Sequence, residues 1–257
     1  TGYKNLQRAL KIVVKNLPFP KPTLFSGPNS SLQLCEAIAQ MGAKNIMLVT
    51  DSMLVEIGLL DNITQKLDEL GVNYIIYDGV KPDPTYDQIE DGLTVLQDNG
   101  CEAVLAVGGG SSIDAAKIIC ARATNDKPIK KLAGMFKVFK AILPLYAIPT
   151  TAGTGSEVTI AAVVSDPVTH EKKPVMDPKI VPMMAALDGT LMTGLPAHIT
   201  AATGMDALTH AVEAYISTNS IPETDAYALA AVRLIMENLP KVVKTGDDLE
   251  GRQNMAL

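Results

Sequence analysis

The sequence predicts an α/β domain built on a parallel sheet, followed by an all-α domain. Over the first 195 residues, short apolar runs alternate with segments of helical periodicity, a pattern typical of a parallel sheet covered by helices on both faces. From residue 196 onward, helical segments follow one another with no strand-like run between them. We therefore predict an α/β domain over residues 1–195 and the start of a helical domain over residues 196–257.

The elements of the α/β domain follow from periodicity and turn residues. The first is an amphipathic helix in which Leu6, Leu10, Val13, Val14 and Leu17 recur at helical spacing, before a proline-rich stretch. Strands are then predicted at 23–25, 45–50, 73–77, 103–107 and 143–148. Helices are predicted at 32–41, 63–70 and 85–97, with a further helix from residue 111.

Three further strand candidates come before the boundary, and we interpret them as a hairpin appended to the sheet. They are 159–164, 173–176 and 182–187, divided by Asp-Pro turns. Beyond the boundary, the helices are predicted at 196–217, at 223–238 and from 249 onward.

Composition excludes several classes of protein. The net charge of -6 and the pI near 5.1 disfavour a nucleic-acid or anionic-membrane binder. No apolar run reaches transmembrane length, and the start lacks the pattern of a signal peptide. Cys35, Cys101 and Cys120 are an odd number at no ligand-like spacing, which suits a reducing compartment. We expect a cytoplasmic protein whose partner is a small molecule, not nucleic acid or a membrane.

A glycine turn, Gly108 to Gly110, joins a predicted buried strand to a predicted helix that Ser111 or Ser112 would cap. Glycines allow a ligand to approach the backbone closely, and the free N–H groups of a helix start favour an anion. We interpret the turn as a diphosphate site. The alternative is a tight turn without a ligand.

Asp51 comes directly after the strand 45–50, at the edge where open α/β sheets bind ligands. A carboxylate there would accept hydrogen bonds from an adenosine ribose and repel a 2′-phosphate, which favours NAD over NADP. An equally good interpretation is that Asp51 caps the next helix.

A run of hydroxyl residues and glycines, PTTAGTGSE at 149–157, follows the strand 143–148. It has no charge before Glu157, and it offers many donors beside an exposed backbone. We interpret it as a loop that lines the nicotinamide and phosphates; the alternative is an ordinary polar loop.

Asp206 and His210 stand four residues apart, on one face of the first C-terminal helix, among small residues. A carboxylate and an imidazole in this arrangement can bind a divalent cation, but they also form ordinary Asp–His pairs. His198 is too far along the helix to share a ligand shell with both, and His170 lies in a predicted turn.

Three segments together resemble the iron-dependent (group III) alcohol dehydrogenases: GGGSSIDAAK, PTTAGTGSE and TAATGMDALTHAVEAY, in that order. The resemblance implies a Rossmann-like domain that binds NAD and a helical domain that holds Fe²⁺, with Zn²⁺ an open alternative because Asp/His ligation accepts both. It also implies a homodimer. The cofactor residues that we assign are Asp51, Asp83, Gly109, Gly110, Ser111, Asp114, Thr150, Thr151, Thr154, Ser156 and Lys172. The metal ligands, and through the metal the catalytic residues, are Asp206 and His210.

The resemblance implies an oxidoreductase that interconverts a primary alcohol or diol and an aldehyde with NAD(H). Hydride would pass between the carbinol carbon and the nicotinamide while the metal stabilises the alkoxide. The family uses two more histidine ligands, but no histidine follows His210. We therefore expect the chain to be a fragment that is inactive alone. The alternatives are a nucleotide-binding module without catalysis and a zinc-dependent polyol dehydrogenase on the same fold.

Overall fold

The computed structural model describes residues 20–257, so the predicted helix around residues 6–17 lies outside the described residues. Six strands form one fully parallel sheet in the order β1-β9-β6-β4-β2-β3. Their bounds are β1 Thr23–Ser26, β2 Asn45–Val49, β3 Asn73–Tyr77, β4 Ala103–Gly108, β6 Leu145–Pro149 and β9 Met184–Leu187.

Helices cover this sheet, as the alternation of the sequence predicts. They are α1 Ser30–Gln40, α2 Ser52–Glu56, α3 Asp61–Glu69, α4 Tyr86–Asp98, α5 Gly110–Thr124 and α6 Ile129–Leu132. The short helices α2 and α6 have no counterpart among the predicted elements. With one turn or little more, they are too short to leave a periodic signal.

The sheet is the centre of the hydrophobic core. Successive side chains of a strand point to opposite faces, and the two faces pack into separate clusters. Met47 and Val104 belong to the cluster on one face, whereas Leu48 and Leu105 belong to the cluster on the other. Every residue of β4 is buried, which explains its uninterrupted apolar sequence and fixes the position of the glycine turn that follows it.

The predicted appended hairpin is partly wrong. Strands β7 Ala161–Ser165 and β8 Lys172–Met176 do pair antiparallel. They form a separate sheet with β5 Gly134–Met135. The third predicted strand instead enters the main sheet as β9, parallel to both β1 and β6. Its four residues MAAL are all buried, which a strand inside the sheet allows and an exposed hairpin would not.

Three helices make up the remainder: α7 Ala197–Ile216, α8 Pro222–Lys244 and α9 Leu249–Ala256. Helix α8 continues past Pro240, although we expected it to end at residue 238. Beyond the proline, Val242 is fully buried and packs with Leu239 and Met255, so burial offsets the missing backbone donor. No helix within residues 20–257 is both long and apolar enough to cross a membrane.

Asp188, just after β9, ties the sheet to the start of α1. Its carboxylate is fully buried and accepts the backbone N–H of Asn29 at 3.1 Å and of Ser31 at 3.2 Å. It also accepts the Ser31 hydroxyl at 2.6 Å, and both the amide and the hydroxyl of Thr190, at 3.1 and 2.6 Å. Five donors therefore satisfy one buried charge.

Gln253 of α9 joins the helical part to the same edge of the sheet. Its side-chain amide donates to the Leu187 carbonyl at 2.9 Å and accepts the Gly189 N–H at 2.9 Å. The C-terminal helices are thereby held against the ends of the strands where the candidate site lies.

Candidate functional site

The glycine turn packs directly against the hydroxyl-rich loop that follows β6. A Cβ on Gly110 would lie 2.8 Å from the Thr154 methyl carbon, and one on Gly109 would lie 3.4 Å from the Thr151 hydroxyl oxygen. Only glycine at position 110 allows this contact. The N–H groups of Gly110 and Ser111, the first two residues of α5, precede the first helical hydrogen bonds and suit an anion.

The hydroxyl-rich loop, residues 150–156, is held between the glycine turn and α7. The Thr150 N–H donates to the Gly108 carbonyl at 3.0 Å. On the other side, a Cβ on Gly153 would lie 2.3 Å from the Thr203 carbonyl oxygen. The loop is therefore in contact with the backbone of both parts of the chain, and its threonines stand between them.

Asp114 and Ser156 lie together, with their polar atoms directed at each other. The Ser156 hydroxyl donates to one carboxylate oxygen of Asp114 at 2.5 Å, and the Val163 N–H donates to the other at 2.8 Å. Burial raises the pKa of Asp114. Both oxygens are used within the protein, and direct contact of either residue with a cofactor stays a prediction.

Lys117 is a site residue that our sequence analysis missed. Its side chain is fully buried, and its ammonium donates to the Thr159 carbonyl at 2.9 Å, the Thr159 hydroxyl at 3.1 Å and the Ala161 carbonyl at 2.7 Å. Burial lowers the pKa of Lys117 to about 8 and raises that of the neighbouring Glu157. A lysine at a core position of helix α5 is the signal that could have identified it.

Asp51 caps α2 and also stands at the carboxyl end of β2. One carboxylate oxygen accepts the Leu54 N–H at 3.1 Å, so the capping interpretation is confirmed. The cap uses a single oxygen, and the side chain is only half-buried. A ribose contact is compatible with the cap and stays a prediction.

Asp83 and Lys172 form an ion pair between the loop before α4 and the first residue of β8. Their carboxylate oxygen and ammonium nitrogen are 2.6 Å apart, and both side chains are more than half exposed. Asp83 has a left-handed backbone, with φ of 59°. The pair joins the loop before α4 to the start of β8, and its contact with a cofactor stays a prediction.

Asp206 and His210 face each other on adjacent turns of α7, with 3.6 Å between carboxylate oxygen and Nε2. Both are about half exposed. Two metal–ligand bonds of about 2.0–2.2 Å can span this separation, so the two atoms fit one divalent ion. Within residues 20–257, no group of three or more His, Cys, Asp or Glu side chains could hold a metal. His198 and His170 are exposed elsewhere.

His210 also lines a cleft of about 380 Å³ between the hydroxyl-rich loop and the C-terminal helices. The wall on the sheet side includes Thr151, Gly153 and Glu157, whereas α7 and α8 supply small and apolar residues such as Ala211 and Ala228. A cleft of this kind, mostly apolar with few polar groups, is typical of small-molecule sites. Its walls come from both predicted domains.

Comparison with known protein families gives two adjoining matches. Residues 21–189 match the family described as iron-containing alcohol dehydrogenase, and residues 200–257 match the C-terminal part of the Fe-containing alcohol dehydrogenase family. The match covers the sheet, the glycine turn, the hydroxyl-rich loop and the helix that carries Asp206 and His210.

Individual relatives agree with this. The chain is 42% identical over 238 residues to the NAD-dependent methanol dehydrogenase of Bacillus methanolicus. The matched region covers 93% of this chain and 62% of that protein. The crystal structure of a 1,3-propanediol oxidoreductase superposes with a TM-score of 0.89 at 40% identity, over 93% of this chain and 64% of that one. An alcohol dehydrogenase from Oenococcus oeni gives a TM-score of 0.90 at 36% identity, over 93% and 63%. The chain thus spans a little over three fifths of the length of these relatives.

Proposed function

The chain belongs to the iron-containing alcohol dehydrogenase family, and on that premise we propose that the intact protein interconverts a primary alcohol or diol and an aldehyde with NAD(H). The observation that carries the proposal is the cleft in which His210 of α7 faces the hydroxyl-rich loop beside the glycine turn. One cavity thus adjoins both the proposed cofactor loop and a proposed metal ligand. The relatives named for methanol and 1,3-propanediol support the substrate class.

We propose that NAD lies along the carboxyl edge of the sheet. Gly109, Gly110 and Ser111 at the start of α5 would bind the diphosphate, with the helix dipole favouring its charge. Thr150, Thr151 and Thr154 would orient the nicotinamide toward the cleft, and Lys172 and Asp83 would close the site from the β8 side. The Bacillus relative is an NAD-dependent methanol dehydrogenase, which supports NAD as the cofactor.

Asp206 and His210 would hold Fe²⁺. A divalent ion of this kind supplies Lewis-acid stabilisation of negative charge on the substrate oxygen. His210 lines the cleft opposite the hydroxyl-rich loop, so an ion that it shares with Asp206 would lie beside the cleft. The small side chains around His210, such as Ala207 and Ala211, leave room for substrate next to the ion.

Metal binding tests the role of the Asp206–His210 pair. We expect His210→Ala and Asp206→Asn each to lower the affinity for Fe²⁺ by at least about tenfold, because the first removes a donor atom and the second replaces a charged oxygen donor with a neutral one. Iron retained after anaerobic desalting measures this. His198→Ala, an exposed histidine of the same helix, is the matched control. Unchanged iron retention in both variants would remove the pair from the metal site.

A second candidate function is a nucleotide-binding module without catalysis. It is favoured by the finding that, within residues 20–257, the metal-ligand cluster is limited to two residues. NADH formation by the full natural chain from short primary alcohols and diols separates the two, assayed with Fe²⁺ and, in parallel, with Zn²⁺ for a polyol dehydrogenase. NAD binding with no turnover under either metal would favour the nucleotide-binding module without catalysis.

Asp51 gives a test of coenzyme choice. We expect Asp51→Ser, which retains a capping side chain, to raise the affinity for NADP⁺ by about tenfold. The reason is that it removes a carboxylate that would repel the 2′-phosphate, an effect of roughly 1 kcal/mol or more at short range. Titrations with NAD⁺ and NADP⁺ measure the change. The control is Asp68→Ser, at an exposed acid of α3, which should leave the ratio of NADP⁺ to NAD⁺ affinity unchanged. An unchanged ratio in Asp51→Ser would contradict the role of Asp51 in coenzyme choice.

The remaining assignments are also proposals. We place the domain boundary at residues 195/196, which the division between the two family matches supports. We propose a homodimer in the cytoplasm. The three cysteines are buried and reduced in the structure, which supports a reducing compartment.

A further inference from the structure

We propose that Asp114 and Lys117 are positioning residues, forming a two-residue clamp on α5 that holds the hydroxyl-rich loop in place for the nicotinamide half of NAD. The inference rests on the proposed function, because it assigns the loop to that half of the cofactor. It gives the two charges a role that is not contact with the ligand.

The clamp residues lie one helical turn apart, so they point in the same direction from α5. Both reach the same stretch of chain, residues 156–163, which begins at the end of the hydroxyl-rich loop. Asp114 accepts the Ser156 hydroxyl and the Val163 N–H. Lys117 donates three hydrogen bonds to Thr159 and Ala161. Five hydrogen bonds therefore fix eight consecutive residues onto one helix.

The other end of the loop is fixed by the same strand–turn–helix unit. The Thr150 N–H donates to the Gly108 carbonyl, and Thr154 packs on Gly110. The loop is thus attached to β4 and the glycine turn at its start and to α5 at its exit. Because the loop starts at the strand and turn that precede α5 and ends at α5 itself, the threonines keep a constant position relative to the helix that would carry the diphosphate.

The chemistry of the clamp suits positioning. Lys117 has three ammonium protons and three oxygen acceptors within 3.1 Å, so its geometry is fully determined. An apolar side chain of the same length would fill the volume but leave the Thr159 and Ala161 carbonyls without this donor. Glu157 and Asp114 are the acidic groups that face the ammonium, and they offset the cost of burying it.

Binding of two ligands distinguishes positioning from general stability. ADP carries the diphosphate and adenosine but lacks the nicotinamide half, which the proposed function places against the threonines of the hydroxyl-rich loop, whereas NAD⁺ carries both. We expect Lys117→Met and Asp114→Asn to weaken NAD⁺ binding by about tenfold or more, because a loop that the clamp no longer holds must be ordered when the cofactor binds. ADP affinity should stay within about twofold, since the glycine turn itself is untouched. Calorimetric titration measures both.

Glu90→Gln is the matched control. Glu90 forms a bidentate ion pair with Arg122, also on α5, at 2.9 and 3.1 Å, but neither residue contacts the loop. The Glu90→Gln variant should have lower thermal stability and an unchanged ratio of NAD⁺ to ADP affinity. Should Lys117→Met fail to fold, Thr159→Val removes one acceptor of the same ammonium and must shift the ratio in the same direction.

The outcomes are separable. Wild-type protein that binds neither ADP nor NAD⁺ would refute the proposed function. Wild-type protein that binds both, with Asp114→Asn and Thr159→Val keeping its affinity ratio, would overturn the clamp alone. Equal losses of ADP and NAD⁺ affinity in the variants would also overturn it, because they would show a structural role without effect on the loop in particular.

Discussion

Replacing Asp188 with alanine is expected to lower the free energy of unfolding by about 3–5 kcal/mol, because the change leaves several buried donors unpaired at about 1–3 kcal/mol each. Three of the five hydrogen bonds of this carboxylate join β9 to Asn29 and Ser31 at the start of α1, and two go to Thr190 in the next turn. The amide and hydroxyl of Ser31 are buried in this contact and have no water to replace the lost acceptor, whereas the contacts of Asn29 and Thr190 are only partly buried. Urea unfolding monitored by circular dichroism measures the loss.

Asp248→Ala is the control for this prediction. Asp248 also caps a helix, but its side chain accepts one backbone N–H, that of Gly251 at 3.0 Å, near the surface. Its loss should cost about 0.5–2 kcal/mol. If Asp188→Ala cost no more than Asp248→Ala, the buried carboxylate would not be the link between the sheet edge and α1 that the structure indicates.

Gly153→Ala is expected to weaken NAD⁺ binding by about 10- to 100-fold, because a displaced loop loses its hydrogen bonds to the cofactor, and to destabilise the fold by about 1–3 kcal/mol. The added Cβ would lie 2.3 Å from the Thr203 carbonyl oxygen. The Cβ is fixed to the backbone of the loop, and the oxygen belongs to the backbone of α7. No side-chain rotation can relieve the clash, so the loop and α7 must move apart. NAD⁺ titration and thermal unfolding of the same sample measure the two effects.

Gly194→Ala provides the comparison at a glycine with free space. A Cβ added at this position would have no atom within 4 Å, and the backbone φ is not positive, so we expect no loss of affinity. Gly153→Ala behaving like Gly194→Ala would mean that the loop and α7 are not in fixed contact, and the cleft between them would lose its defined width.

The sheet was predictable because its strands are short apolar runs and its helices are periodic. The strand–glycine turn–helix unit is the best example. Gly108 has a positive φ and lies against Ser112, and Gly110 lies against Thr154 of the hydroxyl-rich loop. Helix α8 was predicted too short because Pro240 is a local stop signal. The burial of Val242, which overrides it, depends on α9 and is not visible in the local pattern.

The candidate site was predictable in its residue types but not in its partnerships. The pairing of Asp83 with Lys172 joins residues 89 positions apart. Strand β9 lies inside the main sheet because it pairs with β1, whose residues come about 160 positions earlier. Lys117 was missed for the same reason: its three acceptors lie 42 to 44 residues away. Spacing within one element indicates a shared face, but it does not show what lies opposite that face.

The parallel pairing of β1 with β9 has a consequence for synthesis on the ribosome. Thr23 pairs with Met184, so the first strand emerges about 160 residues before its neighbour. At roughly 5–20 residues per second, β1 waits on the order of 8 to 32 s without its partner. The inner strands can assemble in that time, whereas the edge strand and the Asp188 link close last. Loop closure over such a distance is slow, and the order of translation makes this edge of the sheet the final part of the domain to form.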